Sequence, residues 1–446
     1  MSDERKEVQA ELYARAAQVS LAFSTQPTRG DNEELWLRRE ALEREVSYQL
    51  GTTDQHLCID GPSGTGKTSL VQKIFSNRSR DFMHVQLSKD MHWKDFCRQF
   101  VEIPRRTKVS REASAKGILN LFKFGGEFNF KYGDEFSEKD SYELQLKKAE
   151  QWGAHDVAKW VHDNKLVLVV DDFEVADEDT VGRIAAVCKL LGQSFEGKLV
   201  LVGTDDILKR LLKANPALTH RISEITVGGL ANAGESVGYL NSKFDFLDIK
   251  TPASDRRLTR TEKLQYAEYI FDAANGLMKQ LNWLGQHLVA KVGSGNRLTL
   301  PTVREVCRKI IADFRLENRD SIRNISRVIE NNADFSDVFS FLVSRSVSSI
   351  TRLSEIDEHL SGKYRADSIK SALEYLEESG IIVTTGVSEV RVFFKNPPLM
   401  NCIAAHLSHG ADYGWEPRLD REMKGGLEQI SLGLIGGKVR DRDPSG

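Results

Sequence analysis

Residues His56 to Ser69 read HLCIDGPSGTGKTS, and Gly61 to Thr68 fit G-x-x-x-x-G-K-[ST] in full. No other feature constrains the fold as strongly, because this pattern works only between a buried strand and a helix. The apolar run Leu57 to Ile59 supplies the strand, and Leu70, Val71, Ile74 and Phe75 mark one face of a helix opening at about Lys67. Glycines at 61, 64 and 66 let the backbone curl so that successive N–H groups point inward at phosphate oxygens. Pro62, Ser63, Thr65 and Ser69 complete the loop. The helix adds its positive end, Lys67 a mobile charge for the β and γ phosphates, and the Thr68 hydroxyl a ligand for Mg²⁺. The expected cofactors are ATP and Mg²⁺.

A second strand follows about 100 residues downstream. Leu166 to Val170 is LVLVV, a continuous apolar run of the kind buried on both faces of a parallel sheet. It ends in Asp171-Asp172-Phe173-Glu174. Asp171 is placed to hold Mg²⁺ through water, and Asp172 to orient or deprotonate the attacking water, with Glu174 as the alternative. Phe82 to Leu87 reads as a further strand, and Lys198 to Gly203 as another. The latter ends in Thr204-Asp205-Asp206, where Thr204 either faces the γ-phosphate or is an ordinary turn hydroxyl. From Ile207 to Gly229 the chain reads as a helix, an Asn-Pro break and a strand from Ile222 to Val227. Arg221 sits between helix and strand. Either it reaches a neighbouring subunit's γ-phosphate and stabilises transition-state charge, or it is a surface cation.

Composition excludes more than it assigns. At 446 residues the chain should divide into two or three domains. Hydrophobic residues at 40% and charged residues at 28% suit a soluble cytoplasmic protein with no membrane partner. The five cysteines are scattered, without a zinc or disulfide pattern. A net charge of −3 gives the whole chain no pull toward nucleic acid.

Taken in order, the P-loop, the acidic strand, the Gly-Thr strand tip and L-x-x-R-x-x-x-I-x-V-x-x-L across Leu218 to Leu230 resemble the AAA+/STAND class of P-loop ATPases. The spacing is most similar to initiator-type and transposition-helper ATPases and their STAND relatives. Leu37-Arg38-Arg39-Glu40-Ala41-Leu42 looks like the R-E-x-L helix that leads into their core. The resemblance spans roughly 32 to 315. It implies an α/β fold, a P-loop NTPase with a parallel five-stranded sheet, helices on both faces and a helical lid. It also implies ATP-dependent self-association into a homo-oligomer, with Arg221 acting in trans. Two departures stand out. Asp172 occupies a place where many members carry Glu, which implies slow turnover. Lys279, in Asn275 to Lys279, stands where the class carries a lid arginine.

The sequence divides into a helical segment at 1–31, the ATPase core at 32–230, a lid at 231–317, a linker helix with a winged-helix domain at 318–408 and a tail at 409–446. Within the core, 104–142 reads as an insertion. Its residues Leu121 to Phe136 alternate aromatics about Gly125-Gly126, the pattern of a hairpin, whose aromatic face packs on its own domain or docks a partner. The lid contains three helices between about Arg260 and Phe314. Helices at Phe335 to Arg345, Ser354 to Leu360 and Asp367 to Ser379, then strands at Ile381 to Thr385 and Glu389 to Phe394, make the winged-helix order. Across 341–408 seven Lys/Arg face eight Asp/Glu, so duplex DNA and a protein partner both stay open for that domain. The sum is an ATP-driven switch with a winged-helix output; the alternative is a DNA-binding ATPase helper of replication, transposition or anti-phage defence.

Overall fold

Runs of Val, Leu and Ile that cannot face water on either side must stack side by side, and their stacking order decides where a ligand can sit. The computed structural model describes residues 14–23, 35, 39–52, 55–76, 82–103, 142–204, 207–292, 296–345, 347, 349–386 and 389–409. The chain groups into two compact units. One comprises Pro27–Val227 with Thr384–Val390, the other Met1–Gln26, Gly228–Val383 and Arg391–Gly446.

A helix over 14–22 (α1) comes first and belongs with the second unit. The nucleotide-motif unit then runs α2 (Glu40–Thr52), β1 (His56–Asp60), α3 (Lys67–Ser76), β2 (Phe82–Gln86) and a helix over 93–103 (α4). It continues with α5 (Tyr142–Ala149), α6 (Ala154–Asp163), β3 (Val167–Asp171), α7 (Glu178–Leu191), β4 (Lys198–Val202), α8 (Ile207–Ala214) and β5 (Ile222–Thr226). Each of the five core strands expected from the sequence is present within a residue at either end. The five form one sheet in the order β2-β3-β4-β1-β5, every neighbouring pair parallel. The three inner strands are buried at every residue, whereas the edge strands β2 and β5 carry partly exposed positions. This is why only the inner three read as unbroken apolar runs. Helices flank both sides: Val71, Ile74 and Val46 join one face cluster, and Phe96, Val157, Ile184 and Leu211 the other.

Polar groups fix the strand starts. The buried Lys198 amine donates to the carbonyls of Gln49 (2.7 Å) and Leu50 (3.2 Å), capping the end of α2. His56 accepts the Leu199 N–H at Nδ1 and donates from Nε2 to the Cys188 carbonyl at 2.7 Å. Burial pushes its imidazole down to about 4, so this bridging ring is neutral.

The second unit holds α9 (Ala233–Phe246), α10 (Arg260–Ala274), α11 (Met278–Ala290) and α12 (Leu300–Glu317). Thr259 and Glu262 form a capping box for α10, and Thr299 caps α12, which has proline in its first turn. The stretch after Asn318 is α13 (Arg319–Glu330), amphipathic through buried Ile322, Ser326 and Ile329. Then come α14 (Ala333–Arg345), β6 (Thr351–Arg352), α15 (Leu353–Leu360), α16 (Ala366–Glu378), β7 (Ile382–Thr385), β8 (Arg391–Phe394) and α17 (Pro397–His409). The short strands form a sheet in the order β6-β8-β7. The two-residue β6 and the final α17 were not legible in the sequence.

The hairpin expected at Leu121 to Phe136, most of the 104–142 insertion, Leu37, Arg38, Asp205, Asp206 and the tail beyond His409 lie outside the described residues. No described helix is long and apolar enough to cross a membrane.

Candidate functional site

β1 runs directly into the glycine-rich loop, whose backbone resists any side chain. φ is +130° at Gly61, +83° at Gly64 and +87° at Gly66, in the region that favours glycine. Gly61 also lacks room, since a Cβ there would stand 2.3 Å from the Val227 carbonyl oxygen beyond β5. Inside the turn, the buried Thr65 hydroxyl donates to the Pro62 carbonyl at 3.0 Å, and Arg39 Nη1 donates to the Thr65 carbonyl at 3.2 Å. Pro62 is buried, Ser63 exposed, and Gly64, Gly66 and Ser69 partly exposed. The loop ends at Lys67, first residue of α3, so a helix N-terminus opens onto it.

Lys67 is buried, and Nζ donates to the Gly61 and Pro62 carbonyls at 2.8 Å each. Burial pushes its ammonium down to about 8; Glu174, then Asp60, Asp171 and Asp172, act in the opposite direction without cancelling it. Asp60, the last residue of β1, is fully buried, and its Oδ1 has no hydrogen-bond partner.

The acidic side is built at the end of β3. Asp171 is buried, its Oδ2 lies 3.1 Å from His84 Nε2, and its Oδ1 accepts the Asp172 N–H at 2.9 Å. Burial alone would raise its carboxyl. Hydrogen bonds from His84, the Thr68 hydroxyl and the Asp172 N–H outweigh that and hold it below the usual range. Thr68 and Asp171 therefore meet. Asp172 turns the chain in a left-handed conformation (φ 54°) and accepts from Gln86 Nε2 at 2.7 Å. A single 3-10 turn, Phe173–Val175, follows, and from it Glu174 Oε2 accepts the Thr204 N–H at 3.1 Å. The pairing order sets β4 between β1 and β3, so Thr204 follows the strand that separates the loop from Asp171. Gly203 gives Glu174 its space: a Cβ there would fall 2.6 Å from Glu174 Oε2.

Arg221 is not part of this group. It precedes Ile222, which pairs with His56, whereas Asp60 pairs with Thr226. Five steps at about 3.3 Å each put ~16 Å of strand between Arg221 and Thr226 at the loop end of the sheet. Its guanidinium lies against the end of α7, where a Cβ on Gly192 would meet Nη1 at 2.6 Å. Lys279 is exposed in the first turn of α11, in the second unit.

Sequence reasoning passed over His84, Gln86, Asp60 and Arg210. For the first two a signal existed: they alternate along β2, and Gln86 pairs in register with Asp171. Arg210, which binds the carbonyls of the acidic turn, carries no such mark.

Residues 50–211 match the family described as AAA domain. No match was found among curated proteins. Among solved structures, a Walker-type ATPase of Pyrococcus abyssi aligns over 86% of this chain and 99% of its own, with 14% identity and a TM-score of 0.51. The ORC2 protein of Aeropyrum pernix aligns over 87% and 97%, with 10% identity and a TM-score of 0.42. RuvB of Thermotoga maritima aligns over 84% and 96%, with 12% identity and a TM-score of 0.39. At 14% identity the likeness to the Pyrococcus ATPase is one of fold, and the fold is that of a P-loop NTPase.

Proposed function

We propose that this chain is a cytoplasmic ATP-binding and ATP-hydrolysing switch that couples nucleotide state to self-assembly and to a C-terminal winged-helix output. One observation carries it. At the carboxyl ends of β1, β3 and β4, a lysine cradled by three positive-φ glycines meets a threonine hydroxyl bonded to a strand-end aspartate, with two further carboxylates beside them. That set suits a polyphosphate carrying a divalent cation.

In the bound state Lys67 exchanges the Gly61 and Pro62 carbonyls for β- and γ-phosphate oxygens, and the backbone N–H groups from Ser63 to Ser69 line the phosphates. Thr68 and Asp171 would hold Mg²⁺, which would neutralise phosphate charge. Glu174 is favoured as the partner of the attacking water, because the Thr204 N–H holds its carboxylate at the tip of β4, the strand between the loop and Asp171. Asp172 is already engaged by Gln86. Thr204, whose N–H is bound to Glu174, completes the γ-phosphate side. Arg221, remote from its own loop, serves a neighbouring subunit.

The order α14, β6, α15, α16, β7, β8 supports a winged helix. Three of its seven Lys/Arg pair within the fold: Lys363 with Asp337, Arg345 with Glu355, and Lys370 with Glu374 at 3.8 Å. Cations neutralised within the fold release few counterions on DNA, which favours a protein-facing output over the DNA-helper alternative.

Phosphate release by wild type and Lys67→Ala, with and without a Mg²⁺ chelator and duplex DNA, tests this. Slow, Mg²⁺-dependent turnover that vanishes in Lys67→Ala is expected. ATP binding without turnover would reduce the chain to a nucleotide-locked scaffold, and no binding at all would overturn the assignment. DNA stimulation with a steep salt dependence would bring the helper forward.

A further inference from the structure

We infer that Arg210 is a positioning residue for ATP hydrolysis, holding the acidic turn so that the Glu174 carboxylate stays on the tip of β4; this rests on the ATPase function proposed above. Arg210 lies on α8, whose Ile207, Leu208 and Leu211 are buried in the main core. Its Nη1 donates to the carbonyls of Phe173 at 3.3 Å and Glu174 at 3.2 Å, and its Nη2 donates to the carbonyl of Ala176. The guanidinium carbon lies 5.9 Å from the centre of the Phe173 ring. An ion pair to Glu178 at 3.8 Å is a minor addition, since that carboxylate is 73% exposed. The grip is therefore on backbone, and it uses the planar fork of an arginine; a single ammonium has no such fork.

The turn has reason to need a grip. It leaves β3 through Asp172 in a left-handed conformation and makes only one 3-10 turn before α7. Glu174 is thus held at two points: Arg210 binds its carbonyl, and the Thr204 N–H binds its carboxylate. The Gly203 position leaves no slack, with a notional Cβ only 2.6 Å from Glu174 Oε2. A turn released at one end would let the carboxylate swing off the other.

Amide exchange at Thr204 in nucleotide-free protein reads that contact without any turnover. Arg210→Ala and Glu174→Ala should each speed it by about tenfold or more, with no further gain in the double variant, and Arg210→Lys should fall between. In turnover, Arg210→Ala should lower kcat about tenfold while KM for ATP stays within about twofold, and should do nothing more once Glu174 is alanine. Unchanged Thr204 exchange in Arg210→Ala would overturn the inference. So would an equal loss of turnover with and without Glu174, which marks a general structural brace. A wild type with no turnover would remove the proposed ATPase, and Thr204 exchange would still decide the positioning. Should Arg210→Ala fail to fold, Arg210→Lys carries the same comparison.

Discussion

Lys67 carries a charge where the fold penalises it. Its ammonium is buried and bonded to two carbonyls, yet burial leaves it near 8 instead of 10.5. The desolvation loss therefore exceeds what four nearby carboxylates return. Lys67→Met should leave the nucleotide-free melting temperature at pH 7 unchanged or higher. ATP affinity should fall more than about a hundredfold, because two charge-assisted hydrogen bonds of about 1.5–3 kcal/mol each are lost. Calorimetry and a fluorescent-nucleotide titration check the two halves. The pH dependence follows from the same shift. Above pH 8 the free site loses its proton, so a phosphate that needs the ammonium must take one up on binding. Affinity is then full below pH 8 and drops by up to about tenfold per pH unit above it. For the empty fold the sign is reversed: between pH 8 and 10.5 the unfolded chain still holds the proton, so this residue's contribution to stability rises with pH. Titrating nucleotide at pH 7, 8 and 9 reads the first effect, and melting of nucleotide-free protein over the same pH values reads the second.

At the scale of elements, α1 shows what one helix needs to dock. Phe23 closes it and lies tilted against Phe244 with ring centroids 5.5 Å apart, and a Cβ on Gly285 of α11 would reach within 2.1 Å of the Phe23 ring. Gln286 donates to the Phe23 carbonyl at 2.9 Å, and the buried Lys243 amine donates to that of Ala22 while facing the Tyr239 ring at 4.6 Å. A cation at a helix C-terminus satisfies carbonyls the helix cannot. Gly285→Ala should displace Phe23 at a cost of about 1–3 kcal/mol; faster amide exchange across 14–23, with β1 and β3 unaffected, is the expected result. None of this was legible, because Phe23, Lys243 and Gly285 look like ordinary helix residues until distant parts of the chain meet. The parallel strands were legible for the opposite reason: burial on both faces leaves its mark within five consecutive residues, as in Val167–Asp171. The loop was legible because the backbone conformation at Gly61, Gly64 and Gly66 calls for glycine whatever surrounds it. His84, Gln86 and Arg210 gained their meaning only from pairing register and from the carbonyls they touch.

At the scale of the whole molecule, the chain crosses between its two units after Gln26, Val227, Val383 and Val390. Val227, the last residue of the nucleotide-motif unit before the chain crosses at Gly228, packs its carbonyl on Gly61. Arg221 takes the argument beyond one chain. It stands at the end of β5 away from Gly61, with ~16 Å of strand between, so it cannot serve its own site without breaking the β1–β5 pairing. If it stabilises transition-state charge, it does so on a neighbour's ATP. Turnover per chain should then climb with protein concentration and level off as the assembly forms. Arg221→Ala should lose about a thousandfold in that plateau while binding ATP normally. Mixing decides it. Arg221→Ala chains lack the arginine but keep an intact loop, and Lys67→Ala chains lack the loop but keep the arginine. Together they should recover turnover that neither has alone, since each junction of the right polarity brings a sound loop against a sound arginine. Turnover flat in concentration, with no recovery on mixing, would leave Arg221 as a surface cation resting against Gly192 and the switch as a monomer.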